Sequence, residues 1–344
     1  MPERFLGRTL RVLAIGELAL TIGACGAPDR PVSSFQPRAE RQTAQANPQT
    51  IRGVAEQVKT PTPDNPRGTL NLDGLTEMDR TSSGHVRFMQ STEFGGTINA
   101  VIAQTNVSDV YIDLLTANNQ TPTTTGDDTA WSDDQAHMQS LSDMIANNPE
   151  RHGLPFLYGQ TGDYWGDVHT SPEGTVVHEG QILRINPNRA AYCLDGSGRP
   201  YIGKFTEQQL REMGCVTAFG AGPVILKDGK VANPQYNGES NMIPWNPEDE
   251  GFANMDYRIQ LYMNDTPQTM IGYGYDEQGN PYTVMLTSYG TKGINAALML
   301  QKLGCTGAML LDGDSQTEFD WRGNNPQSHQ ADDLSTAAAI FAAR

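Results

Sequence analysis

Two short stretches carry residue types that could do acid–base chemistry. Ala308-Met-Leu-Leu311 is continuously apolar, follows Gly304 and reads as a strand buried on both faces, and it then changes abruptly to Asp312-Gly-Asp-Ser315. Carboxylates, a glycine and a hydroxyl at the end of a buried strand are what a rigid scaffold needs to present reactive groups to a cleft. The apolar run 154–158 likewise delivers Gly159-Gln-Thr-Gly-Asp-Tyr-Trp-Gly166, in which Asp163 stands beside Tyr164 and Trp165 and the glycines allow a sharp turn. Aromatic rings next to a carboxylate suit stacking on a sugar together with proton transfer. Each stretch also has an ordinary reading: an Asp-Gly turn after a strand, and aromatic residues packed at a bend.

The elements that must position these groups can be read from periodicity. Residues 291–303 carry Ile294, Leu298, Leu300 and Leu303 at helical spacing, with Gly304 as the C-cap, so helix, turn, buried strand and acidic loop form one unit. Residues 98–104 and 109–115 read as adjacent strands. Ser132-Asp-Asp-Gln135 is a capping box that predicts a helix with Met138, Leu141, Met144 and Ile145 on its buried stripe. Residues 175–178 and 181–185 flank Glu179-Gly180 as a hairpin, and Lys227-Asp-Gly-Lys230 makes a second one. Thr206-Glu-Gln-Gln209 caps a short helix that stops before Gly214. Residues 233–256 read as a long polar loop, 269–275 and 282–287 as paired strands, and 332–344 as a closing helix. Many hairpins without strict strand–helix alternation predict an α+β fold: a mixed β-sheet flanked by helices, in a single domain spanning 70–344.

The N-terminus has the layout of an export signal. Arg4, Arg8 and Arg11 precede a mostly apolar run over 12–23, and small residues lead to Cys25. Residues 1–24 are therefore expected to be a lipoprotein signal, with Cys25 the lipidated residue and the membrane reached through that lipid alone. If the cysteine is not used, the protein is secreted. Residues 25–69, rich in proline and glutamine and without apolar periodicity, are expected to be a flexible tether. A net charge of −16 excludes nucleic-acid binding through a basic patch. Of the remaining cysteines, Cys193 and Cys215 are the expected disulfide in an exported chain, and Cys305 a small buried apolar residue. No Cys-x-x-Cys or His-x-x-x-His spacing calls for structural zinc. The six histidines are scattered. His169 lies nearest the aromatic loop but, alone, reads as a surface side chain, and Glu173 and Glu179 read as solvated turn carboxylates.

Five stretches in order carry a wider likeness: Thr161-Gly-Asp-Tyr-Trp165, the region from Pro172-Glu-Gly174 to His178-Glu-Gly180, Phe219-Gly-Ala-Gly-Pro-Val-Ile-Leu-Lys-Asp-Gly229, Thr266-Pro-Gln-Thr-Met-Ile-Gly272, and Leu303-Gly-Cys-Thr-Gly-Ala-Met-Leu-Leu-Asp-Gly313. With these the chain resembles the phosphodiester glycosidase family, here in a bacterial lipoprotein. The resemblance implies hydrolysis of a sugar-1-phosphodiester at its glycosidic bond in an envelope or extracellular glycan. It implies catalysis by Asp163 and Asp312 and substrate binding by Thr161, Gly162, Tyr164, Trp165, Gln268, Thr269, Gly313, Asp314 and Ser315. Gly313 and Ser315 would shape a phosphate cradle. Where the family has Asn before Gly-Asp this chain has Thr161, where it has Arg after Pro this chain has Gln268, and its Asp-Gly-Gly-Gly-Ser becomes Asp312-Gly-Asp-Ser-Gln316. Arg322 and Lys292 are candidates to restore positive charge. These departures keep two alternatives open: a non-catalytic glycan-binding or envelope protein that retains the fold, and a calcium or magnesium site on Asp312 and Asp314. No cofactor is required by the sequence.

Overall fold

A computed structural model describes residues 69–117, 138–164, 172–252, 254–324 and 334–344, all within one compact unit, Gln57–Arg344. The expected signal, tether and Cys25 lie outside the described residues, as do Trp165 and His169.

Alternating apolar residues build strands throughout. One sheet has nine, ordered β1 (Thr76–Arg80), β2 (Val86–Ser91), β3 (Thr97–Gln104), β16 (Pro281–Tyr289), β15 (Gln268–Tyr275), β17 (Cys305–Leu310), β12 (Val224–Lys227), β13 (Lys230–Asn233) and β14 (Met242–Pro244). A second runs β10 (Pro200–Lys204), β9 (Ala190–Asp195), β11 (Cys215–Gly220), β7 (Val176–His178) and β8 (Gln181–Arg184). The third runs β18 (Phe319–Trp321), β6 (Leu154–Thr161), β19 (Thr336–Ala342) and β4 (Val110–Thr116), with β5 (Glu150–Arg151) against β6. The pairing of β13 with β14 is parallel and makes the first sheet mixed.

The period of two sorts each strand between two cores. Along β3, Val101 and Ala103 enter a central core with Ile112, Tyr158, Phe219, Ile271, Met309 and Ile340. Ile98, Ala100 and Ile102 face the opposite side, where they pack with Leu286 of β16, Tyr262 of α3 (Met255–Met263) and Leu300 of α4 (Gly293–Lys302). The outer faces of the smaller sheets are covered by α1 (Leu141–Ala146), through Leu141 and Met144, and by α2 (Glu207–Met213), through Leu210. The fold is therefore predominantly β. Its four helices among the described residues cover outer faces rather than contributing half of an α+β architecture.

Several local expectations match what is observed. Thr206 and Gln209 form the capping box of α2, and Gly214 takes the left-handed conformation at its end. The two hairpins pair as β7 with β8 and β12 with β13. Cys193 and Cys215, on neighbouring strands β9 and β11, are joined in a disulfide, and Cys305 is buried and free.

Four expectations are corrected. β3 and β4 are not adjacent: β3 lies between β2 and β16, while the short connection to β4 crosses into the third sheet. The capping box Ser132–Gln135 lies outside the described residues; within them the expected helix is shorter, starting at Leu141 and leaving out Met138, because Ser140 accepts the Asp143 N–H at 3.1 Å and caps it there. The loop expected over 233–256 contains β14 and leads into α3, and Trp245 packs on Tyr262 with ring centroids 4.7 Å apart. The closing helix is instead β19. Its alanines favour a helix in isolation, but Ala337, Ala339 and Phe341 face one core and Ala338, Ile340 and Ala342 the other, so small side chains at a spacing of two let the strand sit between β4 and β6. Among the described residues no helix is long and apolar enough to cross a membrane.

Candidate functional site

The site forms where β6, β15 and β17 end side by side. Past β6, the Gly162 N–H donates to the Thr336 carbonyl at 3.1 Å and the Asp163 N–H to the Thr336 hydroxyl at 2.8 Å, both on β19. A Cβ on Gly162 would lie 2.5 Å from that hydroxyl oxygen, so the turn requires glycine. Past β17, Leu311 donates to the Thr269 carbonyl at 2.8 Å and Asp312 to the Gly162 carbonyl at 2.9 Å. One backbone hydrogen bond thus ties the two acidic loops together, and Asp163 and Asp312 share one site.

Their environments differ. Asp163 is buried, 2% exposed. Its Oδ2 accepts the Gly174 N–H at 2.6 Å, while Oδ1 has no hydrogen-bond partner among the described residues. Burial pushes its pKa up to about 6, against the pull of Arg189 and of the Gly174 N–H. Asp312 is part-buried and keeps contact with solvent. Its Oδ1 accepts the Gly313 N–H at 2.9 Å. Burial pushes it up to about 7; Arg258 and the Gly313 N–H oppose that, and the neighbouring Asp163 and Glu173 carboxylates reinforce it.

Around the pair lie residues whose role the sequence did not reveal. Arg189 is 4% exposed and fully engaged: Nε and Nη2 donate to the Ala221 carbonyl at 3.0 and 2.6 Å, and Nη1 pairs with Glu173. Its guanidinium lies 4.3 Å from the Phe252 ring centroid. Glu173 is therefore an ion-pair partner beside the site while its side chain stays partly exposed, and its N–H donates to the Tyr164 carbonyl at 3.0 Å. Glu250, 4% exposed, accepts N–H groups of Ala190 and Val224 at 2.8 and 2.7 Å and holds β9 to β12. Arg258, on α3, stacks 3.6 Å from the centroid of Tyr164. The helical spacing of Met255, Ile259 and Tyr262 was the signal that could have found α3 and, with it, Arg258.

The other expected site residues take varied positions. Tyr164 is 5% exposed and lies under Arg258 and against Phe252, so its ring is covered rather than offered to a sugar. The Thr161 hydroxyl donates to the Gln316 carbonyl and accepts the Glu318 N–H at 3.1 Å, which makes it a brace between β6 and the acidic loop. Gln268 is buried and donates to the Leu261 and Thr266 carbonyls, both at 3.3 Å, steadying the end of α3. Thr269 Oγ1 is buried without a partner among the described residues. Gly313 packs near the Pro267 carbonyl, and Asp314 to Gln316 form one 3-10 turn in which Ser315 is exposed. Arg322 is engaged elsewhere, with Asp79 at 3.2 Å, and Lys292 stands at the N-cap of α4, so the cations acting on the pair are Arg189 and Arg258. Asp314 faces the Tyr257 hydroxyl, which donates to its Oδ2 at 3.4 Å. Among the described residues no group of three or more His, Cys, Asp or Glu side chains could hold a metal ion.

Comparison with known proteins adds to this geometry. No curated protein sequence matches the chain. Among solved structures, the catalytic domain of zebrafish N-acetylglucosamine-1-phosphodiester alpha-N-acetylglucosaminidase superposes with a TM-score of 0.50 at 14% identity, over 78% of this chain and 81% of that one. A hypothetical protein from Synechocystis superposes with a TM-score of 0.50 at 13% identity, over 75% of this chain, which spans 62% of that one. At such identities these likenesses show the fold. The model of the phosphodiester glycosidase family matches residues 158–341, from the middle of β6 almost to the end of β19. That segment includes both acidic loops and is more than half of the sequence, so the chain belongs to the phosphodiester glycosidase family.

Proposed function

We propose that the protein is an extracytoplasmic hydrolase that cleaves the glycosidic bond of a sugar-1-phosphodiester in an envelope or extracellular glycan. The observation that carries this reading is the carboxylate pair: Asp163 and Asp312 stand on two loops tied by the hydrogen bond from the Asp312 N–H to the Gly162 carbonyl, with pKa values raised to about 6 and about 7. Between those values the pair holds one proton, so an acid and a base coexist. Asp312, the weaker acid, donates its proton to the phosphate oxygen as the C1–O bond breaks and the leaving group takes the bonding electrons. Ionised Asp163, desolvated and directed by the Gly174 N–H, stabilises positive charge developing at the sugar carbon. Water then delivers hydroxide to that carbon and returns its proton to Asp312, which leaves free sugar and a phosphomonoester. A phosphate leaves readily, so the demand on the acid is modest.

The test is release of free sugar from a panel of sugar-1-phosphodiesters by the purified full chain. Release that stops in the Asp312→Asn variant supports hydrolysis. No release from any member, with the protein folded, favours the non-catalytic glycan-binding alternative.

The pH dependence follows from the same pair. The kcat/KM value is expected to rise as Asp163 ionises near pH 6 and to fall as Asp312 loses its proton near pH 7, a narrow bell. A rate that is flat from pH 5 to 8 would remove the acid–base assignment.

The extracytoplasmic part of the proposal rests on the basic, apolar and small-residue order that leads to Cys25. Cells fed an alkyne-bearing fatty acid are expected to label the wild-type chain and not Cys25→Ser. Equal labelling of both would end the lipoprotein reading.

A further inference from the structure

The two arginines beside the carboxylate pair are not equivalent. Arg189 is buried, and its guanidinium is consumed by the Ala221 carbonyl and Glu173. The backbone N–H of Arg258 donates to the Asn254 carbonyl at 3.3 Å, but its guanidinium makes no hydrogen bond or ion pair among the described residues. Its guanidinium carbon lies over the Tyr164 ring, 3.6 Å from the centroid, and 5.8 Å from that of Phe252, contacts that leave its N–H donors without a partner among the described residues. A stacked guanidinium with free donors is preorganised for a planar or tetrahedral oxyanion. Stacking on Tyr164, the residue that follows Asp163, places it beside the carboxylate pair, and its charge pulls the Asp312 pKa down.

The neighbouring residue on α3 meets the opposite sign of charge. Tyr257 donates from its hydroxyl to Asp314 Oδ2 at 3.4 Å, so the first turn of α3 and the loop after β17 face one another. Asp314 has φ 59°, in the left-handed region, and its N–H donates to the Pro267 carbonyl at 2.9 Å; the backbone therefore fixes where its carboxylate stands. Among the described residues, the start of α3 and the loop after β17 thus bring together a guanidinium without a hydrogen-bond partner, on Arg258, and the Asp314 carboxylate that meets the adjacent Tyr257.

We propose that Arg258 and Asp314 form a charge filter in which Arg258 takes the single negative charge of a phosphodiester and Asp314 turns away the second charge of a phosphomonoester. The inference rests on the sugar-phosphodiester reading above and adds the residues that select within it. A diester bears one charge, whereas a monoester bears nearly two above pH 7. A lone guanidinium matches the first, and the excess charge of the second meets Asp314. The same repulsion favours departure of the phosphomonoester that hydrolysis would generate.

The test uses full-length protein carrying Asp312→Asn, so that ligand is not consumed, and calorimetric titration at pH 7.5 with N-acetylglucosamine 1-phosphate and with its methyl diester. The diester is expected to bind at least ~10-fold tighter than the monoester. Adding Arg258→Met should weaken the diester at least ~10-fold, with Arg258→Lys intermediate because it keeps the charge and loses the fork. Adding Asp314→Asn, a residue that tolerates the left-handed backbone, should leave the diester unchanged and tighten the monoester at least ~10-fold. Unaltered diester binding in Arg258→Met, an unaltered preference in Asp314→Asn, or no binding of either ligand before these changes would overturn the filter. Binding with the expected pattern but no turnover by the wild type would overturn the hydrolase reading and leave the filter standing.

Discussion

Asp312→Asn is expected to lower hydrolysis at least ~100-fold, about 2.7 kcal/mol of transition-state stabilisation, and at the same time to raise the melting temperature at pH 8. The two effects share one cause. Burial raises the pKa of Asp312 from the usual carboxylate value to about 7, so the folded protein holds the proton more tightly than the unfolded chain does. The stability linked to that proton is fully present below the unfolded value near 4 and is lost as pH rises through about 7. At pH 8 the wild type carries a desolvated charge that asparagine lacks, whereas at pH 5 the folded carboxyl is already neutral and the advantage of the variant shrinks. Kinetic assays and melting curves at the two pH values check both halves. Full activity would remove Asp312 from the chemistry, and a lower melting point at pH 8 would recast it as a structural acid.

The second large effect is expected at a glycine. A Cβ on Gly174 would lie 2.3 Å from Gly220 Cα and 2.8 Å from Asp163 Oδ2. The first neighbour is backbone, so no side chain can rotate away, and the strand end carrying Gly220 or the turn carrying Gly174 must move. Gly174→Ala is expected to cost about 3 kcal/mol, at the upper end for overpacking, and to abolish activity because the N–H that Asp163 accepts moves with it. Gly251→Ala is the control, since a methyl there meets nothing within 4 Å and the backbone is not left-handed. Denaturant unfolding of the two variants measures the difference. Equal stabilities would mean that the contact between Gly174 and Gly220 is softer than the structure implies.

The acidic loops were legible because their signal is local. An apolar run that ends in Asp-Gly, or in Gly-Asp followed by aromatics, announces a strand end with polar groups at its tip, and Asp163 and Asp312 do stand at such ends. The arginines were not legible. Arg189 lies between strands, in a stretch with no periodic pattern, and its partners Glu173 and Ala221 are 16 and 32 positions away. Arg258 sits on a helix that opens in a polar stretch, which hid the spacing of Met255, Ile259 and Tyr262. Tyr164 and Gln268 were identifiable as neighbours of the chemistry, but not as residues whose polar or aromatic surface is already occupied by protein. β19 shows the same limit at the level of the fold. Alanine-rich sequence favours a helix locally, and only the distant strands β4 and β6, which supply its hydrogen bonds, make it extended.

β19 also imposes an order in time. Asp163 is anchored through Thr336, which follows it by 173 positions, and the third sheet has a gap between β4 and β6 until that strand arrives. During synthesis, therefore, the ribosome makes the first acidic loop long before the segment that locks it in place. A growing chain carries Asp163 without its geometry, and its unfilled sheet remains open to chaperones. The delay works as a built-in latch: Asp163 is anchored only after β19 has been made.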